Sequence, residues 1–171
     1  AIWLGPEMPG DQRGDDALSL CYDSEPVAEN CDIVGAAKVK LRLTSDTPDA
    51  QIAVRLNHIH PDGASTRITY GVLNLAQRDD QALPIGQEIE VSLDLDHIAY
   101  RVPKGHKIRV AISNAYWPLL WPMPDTSTLQ ISQGEVQLPI SPHGADDERH
   151  FPPPDTEEPW DVKQIRASDN Q

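Results

Sequence analysis

The sequence predicts an all-β fold in which two antiparallel sheets pack face to face as a jelly-roll β-sandwich. In about eight short segments, apolar side chains recur at every second position, which is the period of a strand with one buried face. Clusters of Pro, Gly, Asp and Asn separate these segments at a spacing typical of sandwiches. No segment longer than a single turn has a helical period, and about eight strands is the usual jelly-roll number.

The clearest strand follows the turn at Gly105 and places Ile108, Val110 and Ile112 on one face. Two Trp-Pro pairs come after it and favour extended backbone, which should end the strand. The other predicted strands, in chain order, are 18–22, 33–43, 52–56, 66–70, 89–95, 128–131 and 135–138. We expect the last two to form a hairpin across Gln133-Gly134 and residues 74–78 to form one helical turn.

Composition divides the chain into three parts. Residues 1–17 are predicted to be an irregular lead-in, and residues 18–140, which hold most of the branched aliphatic side chains, to be the sandwich domain. Residues 141–171 are rich in Pro and acidic side chains and cannot form a core of their own. They are either a disordered tail or a strap across the sandwich, and we favour a partly ordered strap pinned by Phe151 and Trp160.

Charge and length exclude several classes of function. The 171 residues fit one domain. The net charge of −13 disfavours nucleic-acid binding, because the protein and the phosphate backbone would repel each other. No apolar run approaches the roughly 20 residues of a membrane span, so no membrane association is expected. The two cysteines, Cys21 and Cys31, do not make a disulfide framework, and we expect a reducing, cytoplasmic location.

Two histidines deserve comparison with a metal site. His58 and His60 lie two residues apart in a predicted strand, so their side chains share one face. A third ligand would have to come from another strand, and no spacing identifies one. We therefore favour polar residues beside a turn and expect no metal. His106 follows a turn glycine, where a structural hydrogen bond is favoured over a role as a general base.

Nucleophilic catalysis has no visible basis in this sequence. The Gly-x-Ser-x-Gly elbow of an α/β-hydrolase is absent, and no serine has an accompanying His–Asp arrangement. We expect no catalytic residue and no cofactor in this chain. Asp15 and Asp16 can bind a cation or pair with an arginine, but adjacent acids in a loop are more often solvated or turn-capping, and we favour that interpretation. We expect Arg78 and Arg109 to form an internal salt bridge.

The aromatic residues Tyr116, Trp117 and Trp121 are the candidate interface or platform. The indoles can stack on a sugar, as aromatic platforms do, or dock against another domain as buried anchors. A third interpretation is that they close one end of the core.

Many short motifs, in this order, resemble one known family. They are Asp15, Asp16, Ser19 and Leu20; Gly35; Val39 to Leu43; Ser45, Asp46 and Pro48; Arg55 and Leu56; Pro61 to Gly63; Gly71, Asn74 and Leu75; Arg78; Ala99 and Tyr100; Gly105, His106 and Arg109; Trp117-Pro118 and Trp121-Pro122. Together, over residues 11–140, they are similar to the C-terminal domain of the X-prolyl dipeptidyl-peptidase and cocaine-esterase (CocE/NonD) family of serine hydrolases.

The resemblance implies a galactose-binding-domain-like jelly roll that packs beside an α/β-hydrolase catalytic domain of the same parent protein. It implies that the catalytic Ser, Asp and His lie outside this chain, and that the parent cleaves peptide or ester bonds. The expected role is to buttress the catalytic domain and shape its substrate cleft, with self-association as a further expectation. The alternative is a free-standing carbohydrate-binding module.

Overall fold

A computed structural model describes residues 10–77, 81–142 and 151–155 of the chain. Within these ranges the chain forms one short helix, α1 (Arg13–Asp16), and nine strands. The strands are β1 (Leu20–Asp23), β2 (Cys31–Gly35), β3 (Lys38–Ser45), β4 (Gln51–Ile59), β5 (Ser65–Asn74), β6 (Ile89–Asp94), β7 (Ile98–Val102), β8 (Lys107–Ser113) and β9 (Leu129–Gln137). Among the described residues, no helix is long and apolar enough to cross a membrane.

The strands form an antiparallel sandwich, which confirms the predicted fold class. One sheet has the order β1-β8-β4-β5, and the facing sheet has the order β6-β3-β9. Strands β2 and β7 pair separately, with Ile33 opposite Tyr100. The core between the sheets is built from the apolar side of each alternating strand, for example Val39, Leu41 and Leu43 of β3.

Both faces of strand β4 are buried, because the core covers one face and other segments of the chain cover the opposite face. Ile52, Val54 and Leu56 point into the core. Arg55 and Asn57 alternate with them and lie on the opposite face, yet both are almost fully buried. The segment around α1 and a loop after β8 cover this second face, so the fold buries polar side chains there.

The predicted strand over 33–43 is two strands. Gly35 has a φ of 123°, a conformation that L-residues rarely adopt, and it ends β2 before β3 begins. The first half pairs with β7, which the sequence analysis did not predict, and the second half pairs with β6 and β9. Likewise α1 lies in the lead-in that was expected to be irregular.

The predicted hairpin across Gln133-Gly134 is wrong, because residues 129–137 form the single strand β9. Gly134 lies opposite Leu41 of β3, and a Cβ atom at this glycine would come within 3.2 Å of the Leu41 side chain. The glycine therefore provides space for a close strand contact rather than a turn. A bulge between Arg42 and Leu43 accommodates the extra length of β9.

The strap prediction is corrected at Phe151, whose side chain is 80% exposed and pins nothing. Residues 151–155 have no regular secondary structure. Trp160, the second expected anchor, lies outside the described residues.

Candidate functional site

Two exposed indoles stand on the loop that follows β8, which we call the aromatic loop (residues 114–127). Trp117 is 62% exposed and Trp121 is 75% exposed. Their ring centroids lie 5.1 Å apart, and their planes meet at 84°. The peptide bond between Trp117 and Pro118 is cis. Large apolar side chains that remain this exposed are characteristic of surfaces that bind a partner.

The aromatic loop is held by one hydrogen bond to the sheet at its middle and by another that joins its two ends. The Gln51 side chain on β4 donates a hydrogen bond of 2.9 Å to the carbonyl of Trp121. The Asn114 amide donates one of 2.6 Å to the carbonyl of Ser127 across the base of the loop. The indoles therefore project from a backbone that is already ordered, which lowers the entropy cost of binding.

Tyr116 does not belong to the exposed surface, which corrects its assignment as an interface candidate. Its side chain is buried, and its hydroxyl accepts a hydrogen bond from Arg67 of β5. Its ring also lies 5.2 Å from the guanidinium of Arg55. Tyr116 anchors the aromatic loop from below, and of the three aromatic candidates only Trp117 and Trp121 face solvent.

The near-perpendicular packing of the two indoles bears on the sugar-binding alternative. A sugar stacks on an aromatic ring through a flat face, and two rings that act together present faces that can lie along one ligand. Trp117 and Trp121 instead meet edge to face. This pair forms a ridge, which suits insertion into a complementary apolar surface.

A second cluster, the arginine network, lies on the opposite face of β4 and contains Arg55, Asp16, Asn57, Ser65 and Arg109. Asp16 is its centre: one carboxylate oxygen accepts from Asn57 at 2.9 Å, and the other accepts from Ser65 at 2.7 Å and from Arg109 at 3.1 Å. A guanidinium nitrogen of Arg55 lies 3.5 Å from the Asp16 carboxylate. These contacts decide among the alternatives for the acidic pair: Asp16 pairs with arginines.

The other charged and polar residues of the sequence motifs differ in their burial and in their partners. Asp15 is exposed and lies 3.6 Å from Arg55. Arg109 forms the expected internal salt bridge with Asp16, and it also pairs with Asp23, which keeps the pKa of the Arg109 guanidinium above its ordinary value. Arg78 lies outside the described residues. Asn74 accepts hydrogen bonds from the N–H groups of Ala76 and Gln77 and so holds a turn after β5.

Three imidazoles meet at one end of the sandwich and form the histidine cluster: His58, His60 and His106. One candidate ligand atom from each ring lies within 4.8 Å of the others. His58 Nε2 is 2.6 Å from His106 Nδ1, and the rings of His58 and His60 stack with centroids 3.9 Å apart. His58 is buried, while the other two are half-buried.

Burial and the adjacent His60 and His106 lower the pKa of His58 to about 4, so this ring is neutral at pH 7. Its Nδ1 is 2.8 Å from the Tyr100 hydroxyl on β7. His106 is held by the turn that contains Gly105, whose φ is 83°. The backbone N–H of His106 donates a hydrogen bond to the carbonyl of Pro103, and the backbone carbonyl of His106 accepts one from the N–H of Val27.

The two-residue spacing of His58 and His60 predicts that they share one face, but no pattern in the sequence joins His106 to them. The hydrogen bond expected for His106 is present, and its partner is His58. The missing signal was strand register: β4 and β8 are antiparallel, and Ile59 pairs with Lys107. That pairing brings the residues just beyond, His60 and His106, to the same end of the sheet.

An apolar groove of about 300 Å³ runs between β8 and β9 on the open side of the sandwich. It is lined by apolar side chains and by the exposed ring of Tyr22; the apolar residues include Leu41, Val110, Ile131 and Val136.

In the described part of the chain, no serine hydroxyl is hydrogen-bonded to a histidine.

A β-sandwich with exposed indoles on an anchored loop fits the class of accessory domains that pack beside another domain. The family model described as X-Pro dipeptidyl-peptidase C-terminal non-catalytic domain matches residues 3–161, and the chain belongs to this family. The resemblance inferred from the sequence motifs is therefore confirmed.

Relatives with similar sequences are named as esterases. The cocaine esterase of Rhodococcus sp. (strain MB1 Bresler) is 26% identical over 122 residues, which covers 67% of this chain and 21% of the relative. A putative serine esterase of Mycobacterium bovis is 28% identical over 126 residues, which covers 61% of this chain and 20% of the relative. The chain thus spans about a fifth of the length of these relatives.

Solved structures share the fold. An α-amino acid ester hydrolase superposes with a TM-score of 0.68 at 18% identity, covering 78% of this chain and 28% of that one. An aminopeptidase from a marine sediment Thaumarchaeota archaeon gives a TM-score of 0.70 at 17% identity, covering 81% and 30%. None of these comparisons supports the carbohydrate-binding alternative.

Proposed function

We propose that this domain packs against an α/β-hydrolase catalytic domain of the same parent protein, with the ridge of Trp117 and Trp121 as its main contact. The observation that carries the proposal is the combination of two exposed indoles with a loop whose backbone is already fixed. Large aromatic side chains provide most of the binding energy in many interfaces when they enter a desolvated pocket. Membership in a family of non-catalytic C-terminal domains supports a partner of this kind.

The parent's reaction is proposed to be hydrolysis of an ester or amide bond by a serine nucleophile. The sequence relatives are named as esterases, and the fold relatives include an ester hydrolase and an aminopeptidase. Such a reaction proceeds through an acyl-enzyme, with a histidine base and an oxyanion hole. This domain would supply none of these groups, and would contribute by supporting one wall of the substrate cleft.

Hydroxyl-radical footprinting with mass spectrometry tests the docking surface because it reports each tryptophan separately. We expect Trp117 and Trp121 to be oxidised rapidly in the isolated chain and to be protected in the full-length parent. Phe151 is a suitable internal reference, since it is at least as exposed as the two indoles but lies outside the aromatic loop. Equal oxidation of both indoles in the isolated chain and in the parent would show that they do not contact the catalytic domain.

Substitution in the full-length parent provides a second test. Trp117→Ala with Trp121→Ala should raise the rate of proteolytic cleavage between the domains, whereas Phe151→Ala should leave it unchanged. A lost interface would also lower kcat/KM if the domain supports the cleft.

We also propose a reducing compartment, the cytoplasm, for this domain. Cys21 and Cys31 are free thiols, and partial burial raises the pKa of both, which keeps them protonated and slow to oxidise. Thiol alkylation of the protein isolated from its native cell, followed by mass spectrometry, tests this; a disulfide between the two would contradict it.

A further inference from the structure

We propose that the histidine cluster binds one divalent transition-metal ion, Zn²⁺, through His58, His60 and His106, and leaves a fourth coordination position open. Imidazole is a preferred ligand of Zn²⁺, and three protein ligands with one open position is a recurrent arrangement. The proposal rests on the spacing and surroundings of these rings and is independent of the docking surface.

The distances suit a metal after small side-chain rotations. A tetrahedral Zn²⁺ ion with Zn–N bonds of about 2.0–2.1 Å holds its nitrogen ligands about 3.4 Å apart. The three ligand atoms already lie within 4.8 Å of one another, and His58 Nε2 and His106 Nδ1 lie at 2.6 Å. The close pair must open by roughly 0.8 Å, and the widest separation must close by at most about 1.4 Å. Rotation about the soft Cβ–Cγ bond of each ring achieves this and also breaks the stacking of His58 on His60.

Two paired strands position the backbone that carries the cluster. His58 lies near the end of β4, His60 follows the last residue of β4, and His106 lies in the turn directly before β8. These two strands are neighbours in the sheet, with Ile59 paired to Lys107. Ligands on paired strands keep their spacing without help from a metal, which reduces the ordering cost of binding.

The ring nitrogens of His58 and His60 that would not bind the metal are hydrogen-bonded to hydroxyl groups of neighbouring side chains. The Tyr100 hydroxyl lies 2.8 Å from His58 Nδ1, and the Thr66 hydroxyl lies 3.1 Å from His60 Nε2. Each can accept a ring N–H, which fixes the tautomer and leaves Nε2 of His58 and Nδ1 of His60 available. The hydrogen now shared by His58 and His106 would move to the outer nitrogen of its own ring, so that both inner nitrogens can donate a lone pair.

The alternative is a cluster of histidines held only by hydrogen bonds. Metal binding by the isolated chain separates the two. The chain, purified without a polyhistidine tag and stripped with a chelator, is titrated with Zn²⁺ by calorimetry, and the bound metal is counted after dialysis. We expect one equivalent per chain and a higher Tm in the presence of Zn²⁺. Co²⁺ in place of Zn²⁺ should give the intense visible absorption of a tetrahedral site.

Substitution of the half-buried ligands tests which residues bind. His106→Gln and His60→Gln should each weaken Zn²⁺ binding by at least tenfold and abolish the Tm increase. His97→Gln is the matched control, because His97 is exposed and lies outside the cluster. Tyr100→Phe, which removes only the hydroxyl that orients His58, should weaken binding by roughly tenfold.

Circular dichroism of each metal-free variant confirms that it is folded, and using two ligand variants keeps the test valid if one of them unfolds. The proposal is overturned if the wild-type chain retains no stoichiometric Zn²⁺. It is equally overturned if folded His60→Gln or His106→Gln binds Zn²⁺ as tightly as His97→Gln.

Discussion

Arg55 brings a full positive charge into a site where its side chain is only 1% exposed. An unpaired charge at such a site is strongly destabilising, so the partners of Arg55 determine whether the outer face of β4 can be covered. Asp16 provides the counter-charge, the Ser19 hydroxyl lies 2.7 Å from the guanidinium, and the Tyr116 ring packs over it. Asp16 therefore stabilises this face through Arg55 rather than by binding a ligand.

The adjacent acids Asp15 and Asp16 offer a matched comparison. Asp16→Ala should lower the free energy of unfolding by about 3–5 kcal/mol, because it removes the buried counter-charge of Arg55 and leaves only the exposed Asp15 nearby. Asp15→Ala should cost less than about 1 kcal/mol, since Asp15 is 59% exposed and its interaction is screened by water. Urea denaturation of both variants measures the difference. Equal costs would show that the buried pair does not govern the stability of this face.

Asp23 predicts how stability responds to acid. Its hydrogen bonds to Arg109 hold the pKa of the Asp23 carboxyl below its ordinary value against the opposing effect of partial burial, and Lys107 of β8 adds a further favourable charge. Because the pKa is lower in the folded state, the pair contributes stability above about pH 4 and loses it as the pH falls through the folded-state pKa.

Asp23→Asn should therefore reduce the free energy of unfolding by a constant amount of about 1 kcal/mol between pH 5 and pH 8. The difference from wild type should shrink below about pH 4. Denaturation curves collected across this range check the prediction. A difference that grows toward low pH would contradict the assigned direction of the pKa.

Single residues of this kind were only partly predictable. The apolar pattern around Arg109 in its own strand predicts an internal salt bridge at this residue, and the salt bridge is present. The more deeply buried Arg55 gave no such signal, because its burial depends on α1 and on Tyr116, both distant in sequence. His106 joins His58 for the same reason: pairing between strands, not local spacing, brings the rings together.

The strands were predictable where one face is apolar and the other is polar. Lys38, Lys40 and Arg42 alternate with buried side chains in β3, and the two-residue period correctly identified this second half of the predicted strand 33–43. Glycines were harder to interpret, since the same residue type permits both turns and close packing. Gly35 ends a strand through its positive φ, whereas Gly134 lies inside β9 against Leu41.

Gly71 of β5 provides a direct test of close packing inside a strand. A Cβ atom there would lie 2.8 Å from the Leu95 side chain and 3.0 Å from the Asp94 carbonyl oxygen. Gly71→Ala should therefore lower the free energy of unfolding by about 1–3 kcal/mol, the cost of overpacking.

Gly14→Ala is the control, because an added Cβ meets nothing within 4 Å in α1. It should be neutral or stabilising by less than about 1 kcal/mol, as alanine favours helix. Thermal unfolding of the two variants separates them, and a neutral Gly71→Ala would show that β5 and the segment after β6 are less tightly packed than described.

The molecule as a whole has a net charge of −13, and its described residues include the exposed ridge of Trp117 and Trp121. Like charge opposes association of copies, while the indoles favour it. At high salt, where the repulsion is screened, the isolated chain should therefore self-associate with increasing concentration. Trp117→Ser with Trp121→Ser should remain monomeric under the same conditions, and Phe151→Ser should behave as wild type. A wild-type chain that stays strictly monomeric in light scattering, and whose two indoles are protected from solvent, would contradict the presence of an exposed aromatic ridge.

The most direct measurement is the hydrolytic activity of the purified chain toward p-nitrophenyl acetate and an X-Pro anilide, with and without a serine-directed fluorophosphonate. A non-catalytic domain should give no turnover above the uncatalysed rate with either substrate, and the inhibitor should change nothing. Turnover that the fluorophosphonate abolishes would mean that this chain holds its own nucleophile, and would contradict the assignment of chemistry to another domain.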